Sequence, residues 1–125
     1  MNFFERRKIL KKANYLNLTP VRMREHALTE EGKVDILVPR FKNKFWTEVY
    51  RKSRKGEYIR IHLDPTGSAL WLSIDGEKNA GEISLRLLEQ LPEKFTSGDD
   101  AEKRVTQFLS LLYQQEYISF REILK

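Results

Sequence analysis

The second half of the chain is punctuated so closely by caps and breakers that it has room only for short helices. Asp64 followed by Pro65 supplies an N-cap and a proline at the first helical position. Beyond them Ala69, Leu70, Leu72 and Ile74 surround Trp71 in an apolar helix, which Asp75-Gly76 stops. Asn79 followed by Glu82 has the spacing of a capping box. Ile83, Leu87, Leu88 and Leu91 then predict a second helix, ended by Pro92. Asp99 and Glu102 repeat the cap signature. Val105, Phe108, Leu109 and Leu112 follow at i, i+3, i+4 and i+7, the core stripe of a third helix. Tyr117-Ile-Ser-Phe120 predicts a last, short extended piece.

The first half reads differently. Phe3, Leu10 and Ala13 sit in a basic stretch over 3–13 that predicts a short terminal helix, and Pro20 ends that region. Val21 to Leu28 and the β-branched run Val34 to Val38 predict the two strands of a hairpin. Glu30-Glu31-Gly32-Lys33 is the turn, with Gly32 free to take positive φ. Pro39 suits a strand end, where its missing N–H is not needed. Phe41, Phe45, Trp46, Val49 and Tyr50 have helical spacing but strand-forming types, and a short helix is the reading taken. A basic loop follows over 51–56. Tyr58 to Leu63 alternates: Ile59, Ile61 and Leu63 face one way, Arg60 and His62 the other, as in a half-buried strand.

Strands, three helices and a terminal strand give an α+β class. The expectation is a winged-helix-like domain over 21–125. It combines an N-terminal β-hairpin or three-stranded antiparallel sheet with a three-helix bundle, and 1–20 form a basic helical extension.

Composition narrows the chemistry. The chain of 125 residues has no cysteine, which removes disulfides, thiolate nucleophiles and zinc ribbons. No apolar run approaches the roughly 20 residues of a membrane helix, so no membrane role is expected and the cytoplasm is the default compartment. The net charge of +5 is uneven: residues 1–60 carry 16 Lys/Arg against 7 Asp/Glu, and residues 61–125 carry 7 against 11. A basic half suits an acidic partner, or is simply a solvated surface.

Catalysis by the common routes is not expected. His26 and His62 fall on separate strands, and no His-Glu-x-x-His pair exists for zinc. Gly67-Ser68-Ala69 lacks the flanks of a nucleophile elbow. The glycines have neither phosphate-loop spacing nor a following Lys-Ser/Thr. Asp64 and Asp75 read as an N-cap and a turn residue, not as paired carboxylates. Trp71 reads as core. Trp46, Phe45 and Tyr50 lie among Lys42, Lys44, Arg51 and Lys52, a pattern shared by single-strand nucleic-acid sites and by small satellite cores.

The stretch Leu63-Asp-Pro-Thr-Gly-Ser-Ala-Leu-Trp-Leu-Ser-Ile-Asp-Gly76 resembles the signature of PqqD-like proteins. Ala80-Gly-Glu-Ile83 resembles that family's second-helix opening. Arg104 to Leu109, followed by Tyr117-Ile118, resembles its third helix and exit. The resemblance covers about residues 33–120. It implies a non-catalytic winged-helix-like domain, without cofactor or metal, that recognises the leader part of a ribosomal precursor peptide. Such a domain presents the peptide to a modifying enzyme, often a radical SAM protein. In the family the peptide adds as a strand beside the strand before the first helix and packs against the third helix. Carried over, the implied peptide-binding residues are Ile59, Arg60, Ile61 and His62 on the strand, and Arg104, Gln107, Phe108 and Leu111 on the helix.

The physics of such a site stands independently. An unpaired strand edge offers backbone donors and acceptors to another chain, and a helix face adds selectivity. Arg104 suits an acidic residue of the guest. Phe108 reads equally as core, and Leu111, off the main stripe, suits guest contact. A homodimer could use the same edge. The competing reading is a winged-helix nucleic-acid binder, motivated by the basic first half. Its third helix offers Lys103, Arg104, Gln107 and Gln114, but also Asp99, Asp100 and Glu102.

Overall fold

The computed structural model describes residues 15–39 and 58–124. The helix expected over 3–13, the one over 41–50 and the basic loop over 51–56 lie outside the described residues. The chain divides into two compact units, one formed by Arg24–Asp64 and the other by the flanking segments.

In the flanking unit a 3-10 turn at Tyr15–Asn17 leads into strand β1, Pro20–Arg22. Three helices follow the other unit: α1, Pro65–Ser73, α2, Ala80–Gln90, and α3, Gly98–Gln114. They are closed by strand β5, Ile118–Phe120, and a last turn of helix α4, Arg121–Leu124. Strands β1 and β5 pair antiparallel, with Val21 opposite Ser119. Helix α2 packs on α1, on α3 and on the 3-10 turn. Leu18, Trp71, Ile74, Ile83, Leu87, Val105, Leu109, Ile118 and Phe120 are all buried. Each large side chain removed from water contributes roughly 1.5–3 kcal/mol. Leu72, expected in the apolar helix, is instead half exposed.

The capping box of α2 forms as the sequence predicts. The Asn79 side chain accepts from the Glu82 N–H at 2.8 Å, and the Glu82 carboxylate accepts from the Asn79 N–H at 3.1 Å. The α3 cap lies earlier than the Asp99 signature suggests. Ser97 is the N-cap and accepts from the Asp100 N–H at 3.1 Å. The Asp100 carboxylate returns to the Thr96 N–H at 3.0 Å. Asp99 falls in the first turn, where its charge complements the helix dipole.

Helix α3 ends in a Schellman arrangement. The Tyr117 N–H donates to the Leu112 carbonyl at 2.9 Å and the Glu116 N–H to that of Tyr113 at 3.0 Å. Glu116 holds the left-handed position at φ 64° where glycine is usual.

The unit Arg24–Asp64 is a three-stranded antiparallel sheet among the described residues. Its strands are β2, Glu25–Leu28, β3, Val34–Pro39, and β4, Tyr58–His62, in the order β2-β3-β4. The predicted turn joins β2 to β3: the Thr29 N–H donates to the Lys33 carbonyl at 2.8 Å, and Gly32 has φ 81°. The stretch Val21 to Leu28, expected as one strand, is two. β1 is claimed by β5, and the Met23 N–H donates to the Tyr117 carbonyl at 2.9 Å. After Met23 the chain leaves that ladder, and β2 begins a different sheet. The fold class is α+β as expected: a three-stranded antiparallel sheet followed by three main helices.

Candidate functional site

Strand β3 is central in its sheet and β4 lies at the margin. The register fixes which backbone groups of β4 are already used. The Leu63 N–H donates to the Val34 carbonyl at 2.9 Å, so Leu63 faces β3. Antiparallel ladders alternate hydrogen-bonded and non-hydrogen-bonded pairs. Ile61, opposite Ile36, and Ile59, opposite Val38, therefore also turn their backbone groups toward β3. The N–H and C=O groups of Tyr58, Arg60 and His62 point away from the sheet. Among the described residues no strand pairs with that outer side.

The two faces of β4 differ in chemistry. Ile61 is partly buried and shares a face with Val34 and Ile36, which are completely buried. Ile59, on the same face, is 43% exposed, more than the expected half-buried strand implies. It lies opposite Val38, one pair from the end of the ladder. On the other face sits Asp35, a carboxylate whose side chain is only 4% exposed. His62 lies directly opposite it, and its Nδ1 is 2.6 Å from Asp35 Oδ1. A carboxylate can only accept, so this nitrogen carries the proton and donates. Arg60 Nε stands 3.6 Å from Asp35 Oδ2. Burying a carboxylate is costly unless it is paired, and the two β4 side chains supply that pairing. The sequence reading passed over Asp35. Its signal was an acidic residue inside the run Val34-Asp-Ile-Leu-Val38, where every neighbour favours an apolar strand.

Helix α3 carries the other four expected residues. Arg104, Gln107 and Leu111 are exposed along one stripe, with Leu111 at 58%. Phe108 is half-buried beside the buried stripe of Val105, Leu109 and Leu112. Arg104 is engaged within its own unit. Its Nη1 donates to the Lys94 carbonyl at 2.5 Å, and its guanidinium lies 5.2 Å from the centre of the Phe95 ring. This anchors the turn between α2 and α3. Strand β4 and helix α3 belong to separate units.

The remaining polar groups have local duties. The Asp75 carboxylate accepts from Lys78 Nζ at 2.7 Å and from the Lys78 and Glu77 N–H groups at 2.9 Å, an Asx turn that stops α1. These bonds, the Lys78 side chain first, hold its pKa well below the usual carboxylate range. His26 stands opposite Ile36 and His62 opposite Asp35, so the two histidines lie on opposite faces of the sheet. Among the described residues no group of three His, Asp or Glu is placed to hold a metal ion. No helix among them is long and apolar enough to cross a membrane.

A family model described as coenzyme PQQ synthesis protein D (PqqD) matches residues 51–118. The matched span runs from before β4 through α3 to the first residue of β5. Searches of curated proteins and of solved structures give no match.

Proposed function

The chain belongs to the PqqD family, and from that premise we propose that it is a non-catalytic accessory protein that captures the leader of a ribosomally made precursor peptide by strand addition. The guest strand pairs with the outward N–H and C=O groups of Tyr58, Arg60 and His62. Backbone pairing supplies affinity that tolerates many sequences, and side chains on both faces of β4 supply selectivity. Ile59, Arg60, Ile61 and His62 are the strand contribution. Gln107, Phe108 and Leu111, in the other unit, are the helix residues that the family resemblance implies, and they present an amide, a half-buried ring and an exposed leucine. Arg104 contributes by fixing the turn before α3 through Lys94 and Phe95. The captured peptide is then handed to a modifying enzyme, of which a radical SAM protein is the expected class.

The observation that carries this reading is the position of β4 at the sheet margin, with its outer backbone groups unpaired among the described residues. The test is calorimetry of the full chain with synthetic precursor peptides encoded beside its gene. Binding of one of them in the micromolar range or tighter is expected. If none binds, the proposal fails.

A further inference from the structure

We infer that the guest strand carries a carboxylate side chain directly opposite Arg60, with branched apolar residues at the alternate positions. The inference rests on the strand-addition reading and gives that site a substrate class.

Across a sheet, residues opposite one another share a face, so charges fall into rows running strand to strand. One such row begins at Asp35 on β3 and continues to His62 and Arg60 on β4. The next member of the row is the guest. Asp35 holds its two neighbours by their near ends: Nδ1 of the imidazole and Nε of the guanidinium. With Nδ1 holding the proton, Nε2 of the imidazole is an acceptor, whereas the Arg60 guanidinium carries further N–H donors in a fork suited to carboxylates. The side chain of Arg60 is 55% exposed, so that fork is accessible. An acid placed opposite completes a row of alternating sign. A Lys or Arg placed there meets like charge.

The opposite face of the strand sets the alternate positions. Ile59 and Ile61 occupy the other face of β4, and Ile59 is 43% exposed. A guest residue beside it removes apolar surface from water only if it is itself apolar. The guest is therefore an acid flanked by β-branched or leucine residues with a period of two.

The probe is a set of overlapping peptides tiling the precursor encoded beside the gene, read by fluorescence anisotropy against the full chain. In the tile that binds, replacing one Asp or Glu by its amide should weaken binding about two- to fivefold, the range of a cross-strand charge pair. Arg60→Gln should weaken the parent peptide similarly and make it indifferent to the amide replacement. If the amide replacements leave wild-type affinity unchanged, the inference is overturned while strand addition stands. An equal loss against the Arg60→Gln variant also overturns it. If no tile binds at all, strand addition itself fails. The peptide replacements need no change to the protein, so the result does not depend on the variant folding.

Discussion

Proline at position 61 and proline at position 60 should differ sharply in cost, because the two amides point to opposite sides of β4. Ile61 faces β3 opposite Ile36, a completely buried residue. Proline there removes the ladder bond, worth about 1 kcal/mol net, and leaves the Ile36 carbonyl unpaired, at about 1–3 kcal/mol. Measured against Ile61→Ala, which removes the side chain alone, Ile61→Pro should cost about 2–4 kcal/mol. That is a large share of a stability of about 5–15 kcal/mol. Arg60 directs its N–H outward, the one orientation in which a sheet accepts proline. Measured against Arg60→Ala, which already breaks the contact with Asp35, Arg60→Pro should cost under about 1 kcal/mol. Urea unfolding separates the two. With a slope of about 1–3 kcal/mol per molar, the position-61 pair should differ by about 1 M or more in midpoint and the position-60 pair by much less. Arg60→Pro should still bind the precursor peptide more weakly than Arg60→Ala, having lost a donor to the guest. Equal destabilisation by the two prolines would refute the reasoning, since it would mean that the outer edge is already paired within the chain.

Three other perturbations follow from particular contacts. Glu116 occupies the left-handed position of the α3 terminus, so Glu116→Gly should raise stability by about 0.5–1 kcal/mol in the same urea assay. Burial pushes the Tyr15 pKa up to about 12, although a hydrogen bond to Ser110 acts against the shift. The folded chain therefore holds this proton more tightly than the unfolded one. The resulting stability is complete below about pH 10 and is lost as pH rises toward 12. For this partly exposed ring the loss should be about 1 kcal/mol, and it should be absent in Tyr15→Phe. Asp75 shifts the other way, with its pKa held down by Lys78 and by the turn amides. Its contribution is present above about pH 4 and fades as pH falls below that, and Asp75→Asn should flatten this part of the acid-unfolding curve.

What the sequence made legible was whatever is fixed by neighbours along the chain. The α2 cap, the Gly32 turn and the Asx stop at Asp75 each depend on residues within four positions, and all three form. The misses depend on partners far away or on competition between equals. Ser97 and Asp99 both have an acidic residue three positions on, and only the path of the chain into α3 decides for Ser97. The break between β1 and β2 is set by β5, nearly a hundred residues later. Glu116 gives no hint of a left-handed residue, because the Schellman bonds impose a conformation its type does not favour. Within the candidate site the alternation of Tyr58 to His62 was readable, since it needs only period two. Asp35 was not, because its meaning comes from standing opposite His62 across a register that no local pattern encodes.

That same register bears on self-association, which the sequence left as an alternative occupant of the edge. Two copies of β4 pairing antiparallel must oppose outward-facing residues. Centred on Arg60, such a pair sets Arg60 against Arg60, and centred on Ile61 it sets Arg60 against His62. The first arrangement places two guanidinium groups together, which opposes pairing, whereas an acidic guest meets the opposite charge. Charged side chains are a common way of blunting a sheet edge against its own kind. Arg60 can therefore oppose a second copy and select a guest with the same side chain. Arg60→Thr keeps strand propensity and removes the block, while His62 still pairs with Asp35. This variant should dimerise at concentrations where the parent sediments as a monomer, and sedimentation velocity reads the difference. A parent that already dimerises through β4 would overturn this argument, because the charges would then have failed at the one task the register sets them.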